Sequence, residues 1–186
     1  MLWASVSLGL AAFLAGDILF TYYQPFFERN GYGAIFLGLL TAAISLASAA
    51  GSWSTQYFHH RGWRLGLIAW ICVLIAVNGI AYIIAAPMIV LGTVIIQAFA
   101  QGMTVPTRQL IVNESTPSRI RASVLSASST ITSSFVIVGF LFGGLLADHG
   151  TPQQAGWLVI TLCAAGLAVI LSHRRRTMAS GTMPTL

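Results

Sequence analysis

Apolar residues run along this chain in long blocks separated by short polar breaks, and six of the blocks are long enough to cross a bilayer. A helix rises about 1.5 Å per residue against ~30 Å of hydrocarbon, so one crossing needs roughly 20 residues. The blocks predict spans over about 2–23, 33–57, 65–84, 88–112, 122–147 and 155–172. The breaks fall before Pro25, at His59-His60-Arg61-Gly62-Trp63-Arg64, at Ala85-Ala86-Pro87, over Asn113–Arg121 and over Asp148–Gln154. Thr116-Pro117 reads as the cap and first-turn proline of the fifth helix. Residues 1–176 then form one all-α, six-helix bundle and 177–186 a tail. The opening block lacks the positive leader of a signal peptide, and its apolar run continues to Phe20, so it reads as a span.

Polar residues inside these spans are not scattered. Projected at 100° per residue, Thr41, Ser45, Ser48 and Ser52 fall within roughly 60° of the second helix. Thr93, Gln97, Gln101, Thr104 and Arg108 fall within roughly 80° of the fourth, and Ser123, Ser126, Thr130, Ser133 and Ser134 within roughly 100° of the fifth. The first helix places Asp17, Thr21 and Gln24 on one side. The third and sixth carry only isolated Asn78, Tyr82, Thr161 and Ser172. A single membrane hydroxyl usually bonds back to its own helix or permits close packing. That explains Gln97, Gln101 and Arg108 in one file less well, since an arginine at mid-bilayer costs about 2.5–3.5 kcal/mol on insertion scales. Four wet faces and two dry helices predict a lined path.

Composition sharpens this picture. Charged residues are 7% of the chain and hydrophobic ones 56%, with a mean hydropathy of +0.83. A water-facing domain carries about 25% charged residues, so no separate soluble domain fits. The net charge of +5 is not a nucleic-acid signal, because its distribution follows the membrane. All nine basic residues are Arg. Eight of them (Arg61, Arg64, Arg108, Arg119, Arg121, Arg174, Arg175 and Arg176) fall on one side of the predicted bundle and only Arg29 on the other. The positive-inside rule predicts a multi-pass protein of the cell membrane with both termini, and so the tail, in the cytoplasm. Cys72 and Cys163 lie mid-span, in neither a metal spacing nor a disulfide framework.

At this point the sequence resembles the major facilitator superfamily over essentially its whole length, in the carboxy-terminal six-helix half. Tyr22-Tyr23-Gln24-Pro25-Phe26-Phe27 with Gly31 is similar to the end of that half's first helix. Pro117, followed by Arg121-Ala122-Ser123-Val124-Leu125-Ser126, resembles the entry into the penultimate helix, and Gly143-Gly144-Leu145-Leu146-Ala147-Asp148-His149-Gly150 its exit. His59-His60-Arg61-Gly62-Trp63-Arg64 looks like a degenerate copy of the family's basic loop, with His59 where Asp usually stands. Ala98 stands where a first half carries its fourth-helix Arg, so the proton-coupling role of that Arg does not transfer. The resemblance implies two three-helix repeats, a cavity lined by the first, second, fourth and fifth helices, and alternating access against a second six-helix half. The span that opens at Met1 leaves three expectations: a separately encoded half, a homodimer subunit or a truncated product. Each requires a partner bundle to cover the polar faces.

The candidate substrate-binding residues are Asp17, Thr21, Tyr23, Gln24, Ser45, Ser48, Gln97, Gln101, Thr104, Ser126, Thr130 and Ser133. The candidates for coupling or gating are Asp17, Arg61, Arg64, Arg108 and Asp148. Asp17 is the only acid well inside a span, and reads either as a proton or amine site or as an interfacial acid paired with Arg29. Arg108 reads either as an anion-binding group or as an anchor near Glu114. Tyr22, Tyr23 and Gln24 form an outer gate or mark the aromatic belt. A secondary active carrier that moves a small molecule by alternating access is the leading reading, with its direction (efflux or uptake) and its coupling ion (a proton, where Asp17 is the proton site) left open, and an inactive accessory half as the alternative. An intramembrane hydrolase ranks lower. The histidines His59, His60, His149 and His173 sit at span ends and no G-x-S-x-G occurs, so the chain reads as a non-enzyme without metal or cofactor. Asn30-Gly31-Tyr32-Gly33 lacks the threonine-valine pair of a potassium filter.

Overall fold

In the computed structural model, residues 13–59 and 64–179 are described. They form six helices: α1 (Ala15–Arg29), α2 (Ala34–His59), α3 (Arg64–Ile84), α4 (Pro87–Ser115), α5 (Arg121–His149) and α6 (Pro152–Ala179). Stretches of α2 to α6 are long and apolar enough to cross a membrane, and helices of that kind mark a membrane-embedded, all-α protein. Their outward surface is correspondingly greasy, with Ile35, Leu46, Trp53, Met88, Leu141 and Trp157 exposed.

The helices run past most of the predicted ends. Helix α1 continues through Pro25 to Arg29 instead of stopping before the proline. Pro25 removes one donor from the ladder, the N–H that would reach the Thr21 carbonyl, and the neighbouring aromatic packing holds the helix together across it. Pro87, expected in the break, is the first residue of α4 after an extended Ala86, where its fixed φ suits a helix start. Thr116 ends α4 rather than capping α5, which begins after Ile120. Helix α4, 29 residues long, includes the polar Asn113-Glu114-Ser115, for which the hydropathy pattern predicts a loop. Helix α6 continues through Ala179, into the predicted tail. Residues 2–12 of the first predicted span, Arg61 in the basic loop and 180–186 of the tail lie outside the described residues.

Helices α2 and α4 pack together most closely, as do α3 and α6, then α3 and α4, and α1 and α5; α1 also leans on α6. Glycines set the closest approaches. Gly51 faces the Phe99 carbonyl and Gly102 the Ser48 carbonyl across the α2–α4 contact, and Gly79 faces the Gly156 carbonyl across α3–α6. Pro106 inside α4 leaves the Gly102 carbonyl without its usual N–H, and Ser52 Oγ donates to that oxygen from α2 at 2.8 Å. This is how a membrane helix tolerates a proline: a neighbour's hydroxyl satisfies the freed group. At the Arg29 end, an aromatic cluster closes the core, with Tyr22 and Phe26 edge-on to Tyr82 at 5.7 and 5.3 Å and Phe27 edge-on to Tyr32 at 5.2 Å.

Candidate functional site

The polar centre of the molecule lies where α1 crosses α4 and α5. Asp17 sits in the first turn of α1's described part and is 9% exposed. Three features place its carboxylate. Gly16 beside it leaves room for α4, since a Cβ there would stand 2.8 Å from Gln101 Nε2. Gly139 lets α5 approach, since a Cβ there would stand 3.0 Å from the Asp17 Cβ and 3.1 Å from the Leu14 carbonyl. Gly143 repeats the contact one turn on, against Thr21 and the Ile18 carbonyl. Both chain numbers rise together along that contact, so α1 and α5 run parallel there.

A chain of carboxamides crosses the same junction. Gln101 Nε2 donates to Asp17 Oδ1 at 3.0 Å. One turn back on α4, Gln97 Nε2 donates to the Gly16 carbonyl at 2.8 Å. Asn78 Nδ2, from α3, donates to Gln97 Oε1. The Thr93 hydroxyl reaches Asn78 Oδ1 at 2.7 Å. Asn78 and Gln97 are 0% and 3% exposed, so their partners stand in for water. Asp17 Oδ2 is buried with no partner.

Arg108 lies two turns along α4 from Gln101. Its Nη1 donates to Thr132 Oγ1 at 2.5 Å, and its guanidinium carbon stands 5.9 Å from the centre of the Phe13 ring. Its Nε is buried without a partner.

The predicted residues separate into three groups. Ser45 on α2 and Ser126, Thr130 and Ser133 on α5 are exposed on the outside of the bundle. Gln24 is exposed as well, and Ser48 and Thr21 are half-buried. Ser45 and Thr130 bond back to their own helices at 3.0 and 3.1 Å, as does Thr21 at 2.9 Å, the ordinary behaviour of hydroxyls within a helix. Asp17 and Gln101 meet where α1 crosses α4, and Arg108, seven residues further along α4, meets Thr132 of α5. Tyr23, Gln97 and Thr104 instead lie within the core, at 2%, 3% and 1% exposure. The Tyr23 hydroxyl pairs with Thr41 Oγ1 at 2.9 Å and accepts from Gln24 Nε2 at 3.2 Å. Thr104 donates to the Ala100 carbonyl at 3.2 Å. The fourth-helix stripe is therefore split, half inside the bundle and half at its surface. Asp148 is exposed at the end of α5, and Arg64 begins α3.

One alternative pairing is replaced. Asp17 does not meet Arg29, whose Nη2 donates to the Ala147 carbonyl at the end of α5, where a cation satisfies orphan carbonyls. Twelve residues of helix, about 18 Å, separate the two. Arg108 meets Thr132 and Phe13. Asn78 was the residue that polarity alone did not single out: one amide on an otherwise dry helix carries no periodicity, and its partner Gln97 is 19 positions away.

Comparison with family models, with curated proteins and with solved structures returns no match.

Proposed function

We propose that this chain is one six-helix half of a secondary transporter of the major facilitator type, moving a small solute by alternating access against a second six-helix bundle. The observation that carries the reading is the polar surface that runs from the level of Gln101 past that of Arg108. On one side α2 offers Ser45, Ser52 and Gln56, and on the other α5 offers Ser123, Ser126, Thr130 and Ser133, all exposed within membrane-length helices. Hydroxyls and amides in such a place serve a water-filled path better than acyl chains.

The packing scheme supports two three-helix repeats. Exchanging each helix for the one three places along turns α2 with α4 into α5 with α1, turns α3 with α4 into α6 with α1, and returns α3 with α6 to itself. Nested repeats of this kind build each half of a major facilitator fold. The exposed file on α5 also changes character along its length. Ser123, Ser126 and Thr130 give way to Ile137, Leu141 and Leu145, all exposed. The partner half seals against the apolar stretch, while the polar stretch, at the arginine-rich cytoplasmic end, stays wet. Asp17 is the acid through which a proton gradient acts, and the orientation follows the arginines, with both termini in the cytoplasm of a cell-membrane protein.

Thiol labelling tests the reading. Cys72 and Cys163 are 0% and 1% exposed, so background reaction is low. Ser45→Cys and Ser126→Cys, in the full chain in native membranes, are expected to react quickly with a charged maleimide admitted to the cytoplasmic side. Leu46→Cys, next to Ser45 but on the apolar arc, is expected to stay unreactive. Equal silence at all three positions would put the hydroxyl faces in lipid and end the transporter reading.

A further inference from the structure

Resting on that reading, the structure assigns the solute's class: we infer that the site takes an elongated zwitterion, an ammonium group held at Asp17 and an anionic group held at Arg108. Two buried atoms in the site lack partners, and they have opposite needs. Asp17 Oδ2 is an acceptor without a donor, and Arg108 Nε is a donor without an acceptor. A molecule that satisfies both carries N–H donors at one end and anionic oxygens at the other.

The two groups are held apart by a distance that two helices give independently. On α4, Asp17 is marked by Gln101 and the guanidinium by Arg108. On α5, Asp17 is marked by Gly139 and the guanidinium by Thr132. Each interval is seven residues, or about 10 Å along the axis. That is too far for a direct ion pair at the two levels, and short enough for one flexible molecule to bridge. Gln101 Nε2 already occupies Asp17 Oδ1 as an N–H donor would, and Gln101 is half-buried at the surface of the site. An ammonium group adds donors at Oδ2 beside it. At the other end the Thr132 hydroxyl and the Phe13 ring hold the guanidinium plane in place, leaving its remaining N–H groups for a carboxylate.

The same labelling approach separates this inference from the reading beneath it. Ser129 is exposed on α5, one turn from Thr132. Reaction of Ser129→Cys with the charged maleimide reports water in the path, whatever the solute. Slowing of that reaction reports occupancy. The probe is ε-aminohexanoate, with hexanoate and hexylammonium as its single-charge counterparts. The zwitterion is expected to protect at the lowest concentration. In the Arg108→Gln background the zwitterion is expected to protect no better than hexylammonium, and in Asp17→Asn no better than hexanoate. Each loss raises the half-protecting concentration about tenfold or more, the worth of one hydrogen bond to a charged group. If the thiol reacts but hexanoate or hexylammonium protects as well as the zwitterion, the two-charge site is wrong and the transporter reading stands. Protection by none of the three overturns the inference in the same way. A thiol that never reacts overturns both.

Discussion

Gly51→Ala and Gly102→Ala are each expected to lower the unfolding midpoint of the purified chain sharply, although alanine is the better helix former by about 1 kcal/mol. The added methyl has nowhere to go. At position 51 it falls on the Phe99 carbonyl, with the carbonyl carbon at 2.9 Å, and at position 102 on the Ser48 carbonyl, with its carbon at 2.7 Å. Both obstacles are backbone, so no side chain turns aside and α2 must move off α4. Overpacking costs about 1–3 kcal/mol, and a backbone obstacle belongs at the upper end. Separation of the helices also draws Ser52 away from the Gly102 carbonyl that Pro106 leaves without an N–H, adding a buried acceptor without a donor, at about 1 kcal/mol. Gly92 and Gly144 face open space, and alanine at either is expected to leave stability unchanged or raise it. Denaturant unfolding in detergent, followed by helical circular dichroism, reads all four. Midpoints for Gly51→Ala and Gly102→Ala that match those of the two controls would show that α2 and α4 do not meet at this crossing.

How far the fold and site could be read from the chain depends on the range of the interaction concerned. Hydropathy is local, so spans two to six were legible to within a few residues at most ends. The exceptions are instructive. Pro25 looked like a stop because proline breaks isolated helices, but in α1 the packing of Phe26 and Phe27 into the core overrides one missing hydrogen bond. Thr116-Pro117 carried the signature of a helix start, yet its threonine closes the helix before it. Helical periodicity correctly grouped Ser45 with Ser52 on the exposed face of α2 and Ser126 with Thr130 on that of α5. It treated Gln97 and Thr104 as members of the same file as Gln101 and Arg108, and here it could not distinguish them. Whether a polar residue faces an opening or a neighbouring helix depends on the angle at which that neighbour crosses, which is set by Gly16, Gly51, Gly102 and Gly139 acting across helices. Asn78 and Phe13 entered the site for the same reason. Their partners lie far away in sequence, and no spacing rule links them.

The carboxamide pair at the centre gives the second large effect. Asn78→Leu is expected to cost about 1–2 kcal/mol, because Gln97 Oε1 then stays buried without its donor. Gln97→Leu is expected to cost a similar amount, leaving Asn78 Nδ2 buried at a site of 0% exposure. The Gly16 carbonyl suffers less from that change, because it lies in a helix and accepts the backbone N–H four residues on as well. Thr93 is also cushioned, since its hydroxyl has the Ile89 and Val90 carbonyls at 3.0 and 3.1 Å as alternatives. The double replacement removes both stranded amides together and is expected to cost clearly less than the two single losses summed, as apolar substitution of a whole buried pair does. Unfolding of the four proteins under one set of conditions completes the cycle, and strictly additive losses would mean that the two amides do not bond. The two single variants differ in one further respect. Gln97 also fastens α4 to α1 through Gly16, one turn from the Gln101–Asp17 contact. Its loss is therefore expected to weaken protection of Ser129→Cys by the zwitterion more than loss of Asn78 does at equal stability, since only Gln97 holds the acid and the amide that covers it in register.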